Sequence, residues 1–301
     1  MLAFVLSKRA ASLKPTLMRS PFFVFASLLA CQALSAQQPA DTLRGRIVNA
    51  AGDPIEYVHI GIPAQKLGTI STRDGHFELV VPRDKSGTVE FHHVSYETYY
   101  LSPSDFSKNL TIALSNQELA PAIAHSGKVR ERYLVKRGVS FLPEKSAVSV
   151  AGVFLPPKDG EKSGELGSVA TVKHPFRVEE ISFPMTSNGI PGCVVSFGIY
   201  RVSEKDTVFE NILTRPIYVN IPLTNTAQTV TVHPGEGIYL EPGRYFFGVQ
   251  VVDFDRETYD GREGLACRIY LQGSYYRETP VAKPERHPFN IGLSVKGKEF
   301  L

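Results

Sequence analysis

Between Gly45 and Leu114 short runs of apolar residues recur at every second position and no helical period appears, so this stretch reads as strands joined by turns. Phe77, Leu79 and Val81 alternate with His76, Glu78 and Val80 directly after Asp74-Gly75, the pattern of a half-buried strand leaving a tight turn. Val58, Ile60 and Ile62 alternate with His59 and Gly61 after Asp53-Pro54, where proline sets φ for the chain entering a strand. Val89 and Phe91 open a third run, and Leu110, Ile112 and Leu114 close the series.

These strands and their turns carry an ordered set of residues: Gly45 and Ile47; Gly52, Pro54 and Ile55; Val58 and Ile60; Gly68, Thr69, Gly75, Phe77 and Leu79; Val94 and Tyr96. In order and spacing the set resembles the carboxypeptidase-regulatory-like domain, a transthyretin-like β-sandwich, and it spans about a quarter of the chain. Three positions depart from that pattern. Asp53 stands between the glycine and the proline, Thr72 replaces the usual aspartate, and Ser95 replaces the glycine of a Val-Gly-Tyr motif. These changes bear on turn detail and leave the strand pattern intact. The resemblance implies a small sandwich over residues 42–116 that performs no chemistry, of the kind found beside carboxypeptidases and at the N-termini of TonB-dependent outer-membrane transporters. The remaining length is too short for the transporter barrel, so a transport role would be an accessory one.

Residues 1–36 read as an export signal peptide. Lys8, Arg9, Lys14 and Arg19 have no acid among them, Phe22 to Ala30 is apolar, and Ala33-Leu34-Ser35-Ala36 ends in a small residue before Gln37. Met18 opens a shorter but complete signal of the same kind. A spanning helix needs about 20 apolar residues, more than this run supplies, and no later segment qualifies as a transmembrane helix. Leu28-Leu29-Ala30-Cys31 is similar to a lipobox, which makes Cys31 a candidate lipidation site and the alternative to cleavage after Ala36. The chain carries 33 basic and 30 acidic residues for a formal net charge of +3, but four of the bases lie in the signal. The remainder is close to neutral, which argues against a nucleic-acid partner. Lys128, Arg130, Arg132, Lys136 and Arg137 cluster beyond the first module, interleaved with Val129, Tyr133 and Leu134 as on one solvated face.

Residues 117–167 are rich in Ala, Pro, Lys, Ser and Gly and read as a linker and loop segment. Over 168–301, β-branched and aromatic runs between Gly, Pro, Asn and Asp turns predict strands at 176–185, 193–202, 216–221, 228–232, 245–252, 266–271 and 289–295. No helical stretch intervenes, so the expected architecture is all-β: two tandem β-sandwiches, the second of jelly-roll type. Segments such as G-E-L-G-S-V-A-T-V and P-G-R-Y-F-F-G-V-Q-V-V are similar to the C-terminal sandwich that accompanies the regulatory-like domain in exported proteins of Gram-negative bacteria, a companion with no function to carry over. Cys193 and Cys267 lie in two of the apolar runs, where a disulfide and two buried free thiols are both natural.

His233, Glu236 and His287 match the letters of a His-x-x-Glu plus distant His zinc set. Pro234-Gly235 puts the first pair in a turn between strands, whereas that enzyme class uses a mixed α/β fold, so neither a metal nor another cofactor is expected. His92 and His93 are adjacent on a strand and are expected on opposite faces, unable to share a metal. Asp253, Asp255, Asp260 and Glu263 crowd one loop with oxygens suited to calcium, but Arg256 and Arg262 offset their charge and favour a solvated loop. Tyr259, Tyr270, Tyr275 and Tyr276 are candidates for stacking on a sugar ring, with core and turn packing as the alternative; tryptophan is absent. No Gly-x-Ser-x-Gly elbow, phosphate loop or Cys-x-x-Cys occurs. The expected function is a non-enzymatic interaction or assembly module of the Gram-negative envelope, in the periplasm or at the outer-membrane surface, with an envelope protein or a surface glycan as partner. A carbohydrate-binding β-sandwich and a metallopeptidase-associated subunit are the alternatives.

Overall fold

The computed structural model describes residues 3–5, 40–82, 87–107, 109–117, 127–140, 151–154, 164–203, 205, 208–235, 237–279 and 281–301. Among them the chain is all-β, interrupted by two single 3-10 turns at Pro63–Gln65 and Pro103–Asp105.

The alternation after Asp74-Gly75 becomes the strand His76–Pro82, with Phe77, Leu79 and Val81 buried and His76 exposed. Gly75, at φ 79°, makes the turn that launches it, a backbone state that a side chain would strain. His76–Pro82 pairs with Ala40–Val48, which pairs in parallel with Leu110–Ala113. Facing this three-stranded sheet is a four-stranded one in the order Leu67–Ile70, His59–Ile62, Val89–His93, Tyr96–Leu101. Ile47, Phe77 and Leu79 of the first and Ile60, Val89 and Phe91 of the second share one core. Full burial of a large apolar side chain contributes about 1.5–3 kcal/mol, so this seam is what holds the N-terminal sheets together.

The C-terminal sheets are wider, with eight strands each among the described residues. One, the far sheet, runs Ala3–Val5, Ala151–Phe154, Leu265–Arg268, Phe176–Asn188, Ser294–Phe300, Val129–Val135; Gln228–Val232 and Ile238–Leu240 also pair with Phe176–Asn188. The other, the near sheet, runs Val139–Ser140, Tyr270–Arg277, Glu165–Val172, Gly243–Asp253, Cys193–Val202, Phe209–Asn211. Ile217–Ile221 joins it on Cys193–Val202, and Glu285–Asn290 joins it on Tyr270–Arg277. Phe176, Phe183 and Val295 of the far sheet meet Phe197, Phe247 and Val249 of the near sheet in a second core.

Three expectations change against these sheets. The segment 117–167 is not linker throughout, because Val129–Val135 pairs with Ser294–Phe300. Its basic cluster is partly spent there: Arg130 and Arg132 reach Glu299 at 2.5 and 2.8 Å. The strand Glu165–Val172 begins ahead of residue 168, the expected start of the second sandwich; it entered the sequence reading only as a segment similar to such a sandwich, because its first four residues are buried in succession and show no alternation. Cys193 and Cys267 are free thiols in the same core, not a disulfide. Burial pushes the Cys193 thiol up to about 12, and burial with Cys193 beside it raises Cys267 as well. The candidate lipidation site Cys31, and the leader apart from Ala3–Val5, lie outside the described residues. Among those described, no helix is long and apolar enough to cross a membrane.

Candidate functional site

The four-stranded sheet turns one face into its own core and the other toward the near sheet. Strand register decides what it presents. Ile60 and Phe91 are paired and point inward, so the next pair, His59 and His92, points out, and so do Glu90 and Tyr100. On the near sheet Phe197 and Val249 point inward, which turns Ser196, Gly198 and Tyr200 outward, with Tyr218 opposite Ser196. Between the two faces lies a cleft of about 860 Å³, inside the range of roughly 300–1,000 Å³ usual for ligand sites. His92 and His93 both line it, contrary to the expectation from alternation, because the pairing is irregular between Phe91 and His93.

Tyr57 fastens the joint at which the cleft forms. Its φ is 53°, a left-handed state that bulky residues rarely hold, at a cost of about 1–3 kcal/mol. From there the side chain crosses to the near sheet: its hydroxyl donates to Asp253 Oδ2 at 3.0 Å, and its ring meets Tyr218 edge-on with centroids 4.8 Å apart. Ile70, Val194 and Val252 close an apolar patch around it. Ser95 Oγ donates to the Thr214 carbonyl at 3.0 Å, and Lys66 pairs with Glu285 at 3.0 Å on the surface, where such a pair contributes little.

At the floor, Gly167, Gly248 and Gly198 stand side by side on three adjacent strands. Their missing side chains leave a trough, and the Glu165 carboxylate occupies it; a Cβ on Gly198 or Gly248 would run into it. Arg277 donates to Glu165, and its guanidinium carbon stands 4.6 Å from the Tyr200 ring centroid. Glu165 is 2% exposed and Arg277 7%. Burial works against the Arg277 charge, but Glu165 and Tyr200 outweigh it and raise the guanidinium pKa. Arg277 Nε has no hydrogen-bond partner among the described residues.

Around this floor His59 and His93 are neutral near pH 7. Burial, reinforced by Arg277 and by the other two histidines, lowers His59 well below the ordinary value, and burial takes His93 to about 4. His92 is held by Glu90 at 2.7 Å and Thr98 at 2.9 Å. The cleft thus lines aromatic rings, side-chain amides and imidazoles around a buried guanidinium.

Most residues singled out in the sequence lie elsewhere. His233 Nδ1 is 3.1 Å from the Glu179 carbonyl oxygen beside the far sheet, while His287 sits on Glu285–Asn290 of the near sheet with Nδ1 3.0 Å from the Phe289 carbonyl oxygen. Glu236 lies outside the described residues, and among these no group of three His, Cys, Asp or Glu is arranged to hold a metal. The acid-rich loop turns most of its carboxylates on itself: Asp255 accepts from the Glu257 and Thr258 amides, Asp260 accepts from the Arg262 amide, and Asp253, besides accepting from Tyr57, faces Arg256 at 3.9 Å. Glu263 takes part through its backbone carbonyl, which accepts from the Tyr259 hydroxyl. Tyr259 packs edge-on against Phe254, Tyr270 and Tyr275 are buried, and Tyr276 is half-buried against the second core. Tyr275 and Tyr276 are neighbours on one strand and face opposite ways, so the four rings form no single platform. Tyr57, Glu165, Tyr200 and Arg277 were not read from the sequence. A signal for two of them was present, since Glu165 and Arg277 stand at the ends of otherwise uncharged strand-like runs.

No family model matches this sequence, and no curated protein matches it. Among solved structures the chain is similar to the cysteine protease and lectin-like domains of Cwp84, a surface layer associated protein of Clostridium difficile, with a TM-score of 0.35 and 10% sequence identity. The match covers 81% of this chain and 58% of that one, so the chain spans less than two thirds of its length. A likeness of this degree assigns neither a family nor a ligand.

Proposed function

We propose that the protein is an exported, non-enzymatic binding module of a bacterial envelope, and that its ligand seat is the cleft between the two pairs of sheets. The observation that carries this reading is the cleft itself, about 860 Å³ and walled by side chains from both halves of the chain. The basic and apolar leader supports export, and the resemblance of residues 42–116 to a regulatory-like domain supports an accessory role. A ligand that touches both walls also bridges Tyr57's joint, which suits a module whose task is to hold parts together.

The test compares retention of solubilised envelope components on the immobilised full chain and on Ala64→Trp. Ala64 is exposed on the turn Pro63–Gln65 and lines the cleft, so the indole narrows the entrance without entering a core. A component held by the wild type and released by the variant is the expected result. Equal retention by both overturns the assigned seat. Hydrolysis of a peptide or glycosidic substrate by the purified chain, lost in the same variant, overturns the non-enzymatic reading.

A further inference from the structure

Resting on that reading of the cleft, we infer that its ligand is a neutral saccharide. The walls are largely faces of sheets, whose inner strands commit their amides and carbonyls to the ladders, so recognition there falls to side chains. An extended peptide relies on main-chain pairing along a free edge, and the greater part of this lining is face, its edges being the outer strands Tyr96–Leu101, Phe209–Asn211 and Ile217–Ile221. The ligand must instead bring hydrogen-bonding groups on a compact body that also has apolar surface.

Charge narrows the class further. The Arg277 guanidinium is already matched by the buried Glu165, so a carboxylate or phosphate added beside them would leave a surplus negative charge out of water. Glu90 is engaged by His92, and at the rim Glu210 and Lys283 oppose one another in sign. No positive charge is left over to select an anion.

Two donors in the lining then ask for acceptors. Arg277 Nε and His93 Nε2 are buried and without a hydrogen-bond partner among the described residues, an unusual state for buried polar atoms. His93 Nδ1 accepts from the Ser95 amide at 3.2 Å, so the proton of the neutral ring is on Nε2, which is a donor. Both atoms are shut off from solvent, so a ligand reaches them only where the side chains around them give way, and an uncharged hydroxyl oxygen then satisfies them without adding charge. The aromatic side chains supply the complementary surface: Tyr100, 60% exposed at the mouth, and Tyr218 and Phe209 deeper in, present ring surface to the C–H faces of a sugar. Asn211 and Gln117 add side-chain amides, which can both donate to and accept from a hydroxyl.

The experiment is calorimetric titration of the full chain with neutral gluco-, manno- and N-acetylglucosamine oligosaccharides, with uronic-acid oligosaccharides, and with a library of extended peptides. It is repeated on Tyr100→Ala and Ala64→Trp, with thermal unfolding to establish that both variants fold. The expected result is binding of a neutral oligosaccharide that weakens at least tenfold in Tyr100→Ala and is lost in Ala64→Trp. If only peptides or only acidic oligosaccharides bind, and Ala64→Trp abolishes it, the saccharide class is overturned while the cleft stands. If nothing binds, or if binding is indifferent to Ala64→Trp, the saccharide inference is overturned and the cleft loses its standing as the ligand seat.

Discussion

Glu165 and Arg277 neutralise each other on a floor of glycines, and neither has water to fall back on. Removing one charge therefore does more harm than removing both. Glu165→Gln should destabilise the chain by about 3–5 kcal/mol, because it leaves Arg277 charged and unmatched, whereas the paired change Glu165→Met with Arg277→Met should cost much less. Urea denaturation of the three chains checks the order. His93 makes a second prediction at this scale. Its pKa in the folded chain is about 4 against an ordinary 6.5, because burial disfavours the charged ring. The unfolded chain thus takes up a proton near 6.5 that the folded chain refuses until about 4. The associated stability is complete above the upper value and drains away as pH falls through the interval, by on the order of 2–3 kcal/mol. His59 is shifted in the same direction and adds to the slope. Denaturation midpoints measured from pH 7 down to pH 4.5 should fall for the wild type and fall less for His93→Gln.

At the level of elements, Gly167, Gly248 and Gly198 show why a strand can need residues that strand propensity disfavours. Gly248→Ala should cost about 1–3 kcal/mol through overpacking against Glu165, and should weaken ligand binding more than an alanine elsewhere on the near sheet. Thermal melts and titration of the same variant separate the two effects. Elements were legible where burial was one-sided. Phe77, Leu79 and Val81 announced their strand because solvent on the other face enforced alternation. Glu165–Val172 did not, since Glu165 to Ser168 are buried in succession on both faces and mix charge, leucine, glycine and serine with no alternation. Val129–Val135 was hidden for the opposite reason, its mostly exposed charged residues reading as solvated segment until the pairing with Ser294–Phe300 gave them a sheet.

On the scale of the whole molecule, the candidate site depends on contacts between remote residues. Tyr57 and Asp253 are 196 positions apart and Glu165 and Arg277 are 112 apart, so no local period or motif ties one to the other. What could be read was each half's strand pattern; what could not was the face each half turns to its neighbour. Because the joint centres on Tyr57, Tyr57→Ala should remove the hydrogen bond and the edge-on ring contact together while relieving little backbone strain, since alanine also disfavours positive φ. The two cores should then unfold in separate calorimetric transitions where the wild type shows closer coupling. The parallel pairing of Ala40–Val48 with Leu110–Ala113 has a consequence in time. The first strand of the N-terminal sheets waits for the last one before its edge is covered, and that long-range closure is slow compared with local pairing. A chain threaded end-first, off a ribosome or through a membrane pore, therefore stays unclosed and passable until Ala113 has emerged, and a nascent chain halted before Leu110 would carry an open strand edge ready to pair with its neighbours.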